Sequence, residues 1–160
     1  MKNRCIFPGS FDPVTVGHMN LIERAAGIFD EVIVTVMVNI RKTGTIPAEH
    51  RARLLEKACG EFSNVSVEQW DGLLADYMRM HPDAVVIRGV RSTAEFEQEI
   101  TASAINRSIY ADMETLLMPS TEELSCISSS AVREIAAFGG DIGAYVPASV
   151  RKEIEQYLKK

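Results

Sequence analysis

The 160-residue sequence is short of several features that would have fixed its class at once. It has three cysteines, Cys5, Cys59 and Cys126, an odd number set far apart without C-x-x-C spacing. Neither a disulfide framework nor a zinc site is indicated by that pattern, and reduced thiols in a cytoplasmic protein fit it best. The N-terminal MKNRCIF lacks the apolar stretch of a signal peptide, and no apolar run reaches the roughly 18 residues of a membrane span. Neither a membrane nor an export route is therefore expected. Basic residues are in the minority, with 17 Lys and Arg against 22 Asp and Glu and a net charge of −5, which disfavours nucleic acid as a partner. The G-x-x-x-x-G-K-[ST] phosphate loop and the G-x-G-x-x-G dinucleotide fingerprint are both missing. Any phosphate site must be built by other means, with positive charge gathered locally against the global sign.

The stretch RCIFPGSFDPVTVGH, from Arg4 to His18, offers such a site. Cys5, Ile6 and Phe7 suit a short buried strand, which Pro8 and Gly9 are expected to stop. The loop that follows carries the Ser10 hydroxyl, the turn pair Asp12-Pro13 and, at Gly17, room for close approach of a ligand to the backbone. From His18 onward, Met19, Ile22, Ala25, Ala26 and Phe29 recur at helical spacing. His18 is thus placed in a first helical turn, where free N–H groups and the positive end of the dipole favour anions. Asp12 could serve as a base, but a turn before proline explains it adequately.

Along the chain, strands are expected at Glu31–Val38, Val65–Trp70, Ala84–Ile87 and Glu114–Met118, alternating with helices. A single domain spanning 1–160 follows, with a doubly wound five-stranded parallel sheet and a C-terminal helix at about 148–159. In such sheets ligands bind at the carboxyl edge, and four further groups fall there. Lys42 lies in the loop after the second strand, the alternative being a solvated surface lysine. Arg88 and Arg91 flank Gly89 and Val90 at the end of the fourth strand, and guanidinium forks suit phosphate. Ser128, Ser129 and Ser130 precede a helix, although capping alone needs only one of them. Leu73 and Leu74 read as core or pocket wall. The helix from Ser92 to Tyr110 is expected to turn Phe96, Ile100, Ser103 and Ala104 inward, and to carry Glu95, Glu97 and Glu99 to suit its dipole. Val132, Ile135, Ala136 and Phe138 are expected to face inward from the serine-led helix, and His50 to be exposed.

The inventory is cationic and hydroxylic, with no obvious nucleophile. It fits a reaction that needs only positioning and charge stabilisation, such as attack by an anionic phosphate on a nucleotide α-phosphorus with release of pyrophosphate.

The elements Thr15-Val16-Gly17-His18, Ile87-Arg88-Gly89-Val90-Arg91 and Ile127-Ser128-Ser129-Ser130, set in PGSFDPVTVGH and a chain of this length, resemble the bacterial phosphopantetheine adenylyltransferases of the nucleotidyltransferase superfamily. The resemblance covers essentially the whole chain and implies a Rossmann-like nucleotidyltransferase fold. It also implies transfer of AMP from ATP to 4′-phosphopantetheine, giving dephospho-CoA and pyrophosphate for coenzyme A biosynthesis, with Mg²⁺ accompanying ATP and no metal site in the protein. It gives His18 the transferring phosphate, aided by Ser10 and Lys42. Ser10, Lys42, Leu74 and Arg88 match the phosphopantetheine contacts. Ser10, Phe11, His18, Gly89, Val90, Arg91, Glu99 and Leu124, Ser125, Cys126, Ile127, Ser128, Ser129 and Ser130 match the ATP contacts. A homohexamer is the family's usual assembly. Ser10 stands where many members have Thr, Ile40 for a common Pro, Ile46 for a common Phe, and Gln98 at an often aromatic place. A cytidylyltransferase of the same superfamily and a non-catalytic nucleotide sensor remain the alternatives.

Overall fold

The computed structural model describes residues 3–38 and 44–159. Five strands, β1 (Arg4–Gly9), β2 (Glu31–Met37), β3 (Val65–Trp70), β4 (Ala84–Val90) and β5 (Thr115–Pro119), form one parallel sheet in the order β3-β2-β1-β4-β5. Helices α1 (Val16–Ala26), α2 (Ala48–Ala58), α3 (Leu74–Met80), α4 (Thr93–Ile109), α5 (Ser129–Ala137) and α6 (Arg151–Leu158) follow or connect them, and a one-turn 3-10 helix, Glu122–Leu124, precedes α5.

Strand alternation sorts the core into two layers. Cys5 and Phe7 of β1, Val32, Val34 and Val36 of β2, and Val85 and Ile87 of β4 point to one face, where they meet Ile22, Leu55, Val132 and Ile154 from α1, α2, α5 and α6. Ile6, Ile33, Ala84 and Val86 point to the other, against Ala75, Tyr77 and Met78 of α3 and Met113. Both sides of the central strands are thus apolar, as a covered parallel sheet requires.

The chain winds outward from β1 in one direction through β2 and β3, and in the other through β4 and β5. β1 and β4 therefore flank the point where strand order reverses, and a crevice is expected beyond their carboxyl ends. Their registers open it. β1 pairs with β2 from Arg4 to Gly9, but with β4 only from Arg4 to Ile6.

Several expectations change here. Pro8 and Gly9 do not stop β1, because Pro8 pairs with Thr35 and Gly9 with Val36. The Pro8 carbonyl faces the β4 side, where it accepts from Arg88, so its missing N–H falls where the two strands have already parted. Phe96 and Ile100 do not turn inward: α4 buries none of its residues, and both side chains are more than two-fifths exposed. Phe138, at the C-cap of α5, is 86% exposed, whereas Val132 and Ala136 are buried as expected. His50 is half-buried, with its Nδ1 against the Tyr157 hydroxyl. The last helix begins at Arg151, after a turn following Pro147, and not near 148.

Candidate active site

A cavity of about 680 Å³ occupies the crevice above β1 and β4, within the range of small-molecule sites. Its wall brings together Ser10, Phe11, His18, Arg88, Gly89, Arg91, Glu99, Leu124, Ile127, Ser128, Ser129 and Ser130, with Gln98 among its other residues. Val90, Ser125, Cys126 and Leu74 are not part of that wall. Val90 is buried at the end of β4, and Leu74 opens α3 with its side chain against the Ala75–Met78 layer. Lys42 and Ile40 lie outside the described residues.

His18 is the third residue of α1, and Thr15 is the N-cap. The Thr15 hydroxyl accepts from the His18 N–H at 3.3 Å, and the Thr15 N–H donates to His18 Nδ1 at 3.0 Å. This is a capping box with a histidine in place of the usual Glu or Gln. It fixes the tautomer as well as the helix start. Nδ1 is used as an acceptor, so the proton of the neutral ring sits on Nε2. Burial, and then the charges of Arg91 and Arg88, push the His18 pKa down to about 4. At neutral pH the ring is therefore an uncharged N–H donor, held edge-on to Phe11 at 4.9 Å between centroids. Phe11 itself takes φ +48°, a left-handed conformation uncommon for a side chain of its size.

The arginines are pre-set by carboxylates. Arg88 donates from Nε and Nη2 to both oxygens of Glu99, at 2.9 and 2.6 Å, and from Nη1 to the Pro8 carbonyl at 2.6 Å. Arg91 donates to Glu95 from its side chain and its backbone N–H, and to the Ile127 carbonyl at 3.0 Å. Burial works against the Glu95 charge, but its bonds from Arg91 win and hold the carboxyl below the usual range. Glu95 and Glu99 thus do more than suit the α4 dipole. Each fork keeps a fixed direction while retaining N–H groups for a ligand.

The serine cluster is arranged differently from a row of free hydroxyls. Ser128 caps α5 by accepting from the Ala131 N–H at 3.1 Å, and Ser129 donates to the Pro13 carbonyl at 2.8 Å. Ser130 accepts from Arg133 at 3.1 Å. What this segment can offer an anion is chiefly the backbone N–H groups of the first turn of α5.

Sequence reasoning gives no place at the site to Arg51 or Arg133, and reads Asp12 as a turn residue. Arg51, 6% exposed, donates to the Ile46 and Ser10 carbonyls. Asp12, 8% exposed, accepts from the N–H groups of Thr45 and Ile46 at 2.8 and 2.9 Å, so its carboxylate is occupied and is not placed as a base. Arg133 donates to the Asp12 carbonyl. Arg51 was legible in principle: it shares the spacing of Leu54, Leu55 and Ala58, so it lies on the inward face of α2.

The family described as cytidylyltransferase-like matches residues 6–135. The phosphopantetheine adenylyltransferase of Rubrobacter xylanophilus is 45% identical to this chain over 99% of it and 96% of the relative. That of Staphylococcus haemolyticus is 39% identical over 99% of both. Among solved structures, nicotinic acid mononucleotide adenylyltransferase from Plasmodium falciparum, in complex with NaAD, superimposes with a TM-score of 0.67 at 18% identity, covering 99% of this chain and 98% of that one. The last likeness concerns the fold. At the identity of the first two, sustained over nearly the whole length of each pair, the chain belongs to the phosphopantetheine adenylyltransferase family.

Proposed function

We propose that the protein transfers the adenylyl group of ATP to 4′-phosphopantetheine, forming dephospho-CoA and pyrophosphate in coenzyme A biosynthesis, and that it does so by electrostatic positioning without a protein nucleophile. The observation that carries the mechanism is His18, a neutral donor of fixed tautomer facing a cavity flanked by two arginines. An oxygen of the acceptor phosphate, already anionic, attacks the ATP α-phosphorus. The bond from that phosphorus to the β-bridging oxygen breaks, and its electron pair leaves with pyrophosphate. No general base is needed. His18 Nε2–H donates to an α-phosphoryl oxygen as charge develops there, a contact worth most in the transition state.

The sheet order supports a division of labour on either side of His18. Ser10, Lys42 and Leu74 follow β1, β2 and β3 and are assigned to the acceptor, with Ser10 shared with ATP, to which the adjacent Phe11 is assigned as well. Gly89, Val90, Arg91, Glu99 and the segment Leu124–Ser130 belong to or follow β4 and β5, and are assigned to ATP. Arg88, reaching back from β4 to Pro8 at the seam, is assigned to the acceptor phosphate. Two substrates entering from opposite sides would meet over α1.

The carboxylates described at the cavity are taken: Asp12 by two N–H groups, Glu95 by Arg91 and Glu99 by Arg88. That donor set does not fit a resident metal, and among the described residues no acidic, His or Cys cluster fits one either. Mg²⁺ is accordingly assigned to the phosphates of ATP. Among the described residues no helix is long and apolar enough to cross a membrane. The cytoplasm and a homohexameric assembly complete the proposal.

The test compares pyrophosphate release from ATP and CTP with 4′-phosphopantetheine as acceptor, with the product identified by mass. Dephospho-CoA from ATP at the higher rate is the expected result. Faster turnover of CTP, or nucleotide binding with no product, would contradict the reading.

A further inference from the structure

Two charged side chains that line the cavity, Arg51 and Asp12, are more than nine-tenths buried and are bonded to backbone groups. Arg51 Nε donates to the Ile46 carbonyl at 2.9 Å, and Nη1 donates to the Ser10 carbonyl. Asp12 accepts from the backbone N–H groups of Thr45 and Ile46. The two residues thus stitch the loop after β1 to the segment leading into α2 from both sides of the seam. Gly44 is fitted to the same junction, since a Cβ there would lie 3.2 Å from Arg51 Nη2 and 3.3 Å from Asp12 Oδ2. Ser10, Gly44 and Thr45 all line the cavity.

Burying two charges is a poor route to stability, because apolar residues of similar volume commonly hold a fold as well or better. Such a pair is best understood through what it positions. His18 needs none of these bonds, being anchored by Thr15, and Arg91 is held by Glu95 and Ile127. The bonds of Arg51 and of the Asp12 carboxylate fall instead on the β2 side of the site.

We infer that the Arg51–Asp12 latch is a positioning element for the acceptor half of the cavity: it fixes the Ser10 loop against residues 44–46 and so sets affinity for the pantetheine phosphate far more than for ATP, to which Ser10 is also assigned. This rests on the division of the cavity proposed above. The latch has two separable arms. Arg51→Lys keeps the charge but loses the planar fork that spans two carbonyls. Asp12→Asn keeps the shape but loses the charge and one of two acceptor oxygens.

Steady-state kinetics with each substrate varied, together with thermal unfolding, form the test. Each variant is expected to raise KM for 4′-phosphopantetheine by about tenfold, the scale of a lost charge-assisted bond. KM for ATP and kcat at saturation should change less than about threefold. Because both arms serve one junction, the double variant should be markedly less impaired than the product of the singles. Parallel rises in both KM values, or a lower Tm with unchanged KM values, overturn the inference while leaving the proposed reaction intact. Wild-type protein that forms no dephospho-CoA overturns both.

Discussion

The backbone N–H of Thr15 donates to Nδ1 of His18 at 3.0 Å, and this contact ties the start of α1 to the protonation pattern of the candidate catalytic ring. A helix cap is ordinarily a matter of stability. Here the same geometry leaves Nε2 as the protonated nitrogen of a neutral imidazole, so the local structure of α1 dictates which hydrogen-bond partner the ring can serve.

Substituting the cap separates these two effects. Thr15→Val retains the N–H that holds Nδ1 but loses the hydroxyl that accepts from the His18 backbone. We expect about 1 kcal/mol of destabilisation, the usual cost of a lost cap, and a Tm lower by about 2–4 °C for a chain of this size. Turnover at saturating substrates should fall by less than about tenfold, since the N–H that sets the tautomer survives. A loss as large as that of removing the histidine would assign the tautomer to the hydroxyl instead.

The depressed His18 pKa makes a signed prediction for acid stability. Between pH 6.5, the ordinary value, and about 4, the value in the folded state, the unfolded chain binds a proton that the folded chain does not. Stability therefore falls as pH drops through this window, and the contribution is fully present only above it. Thermal unfolding of wild type and His18→Gln should diverge accordingly: the variant loses this part of the slope, while carboxylate effects common to both remain. Parallel profiles from pH 7 to 4 would mean that His18 titrates normally.

Gly17 separates folding from binding. A Cβ at this first-turn position meets nothing closer than 3.5 Å and faces the Leu124 and Ile127 carbonyls at 3.9 Å. Gly17→Ala should therefore be neutral or stabilising by up to about 1 kcal/mol in unfolding experiments. It nevertheless narrows the gap between α1 and the segment assigned to ATP, so KM for ATP should rise by about tenfold or more. A variant with normal ATP affinity would remove close backbone approach as the reason for glycine here.

Arg88 is charge-paired with Glu99 and reaches across the seam to Pro8. Arg88→Ala is expected to raise KM for 4′-phosphopantetheine by about ten- to a hundredfold, the scale of one charge-assisted hydrogen bond of about 1.5–3 kcal/mol. The effect on ATP should be smaller. Equal effects on both substrates, measured by varying each in turn, would dissolve the proposed division of the cavity.

The alternation of strands and helices was legible because a parallel sheet covered on both sides demands continuous β-branched runs, and EVIVTVM and AVVI supply them. So was the placement of His18, since the helical period that runs through Met19, Ile22 and Ala25 begins at it. Pro8 misled, because a proline inside a strand is tolerated only when its missing donor faces a gap, and that gap depends on how β1 and β4 pair. Helix α4 misled for another reason: Phe96 and Ile100 have an apolar period, but periodicity does not say what a face packs against. Asp12 and Arg51 act through backbone groups of segments over thirty positions apart, and one sequence carries no signal for such a pairing. In the ISSS segment the residue types pointed to the right edge of the sheet, yet hydroxyl directions depend on where Pro13 and Arg133 lie.

The central claim is that His18 stabilises the transferring phosphoryl group as a neutral donor. Its most direct test is the rate of mass-identified dephospho-CoA formation by wild type and His18→Ala at saturating ATP and 4′-phosphopantetheine, with ATP affinity measured on the same preparations. The account predicts a loss in turnover of roughly 10²–10³ or more, the scale for one preorganised donor to transition-state charge, with ATP affinity changed far less. Turnover near that of wild type, or a loss matched by an equal loss of ATP binding, would contradict it.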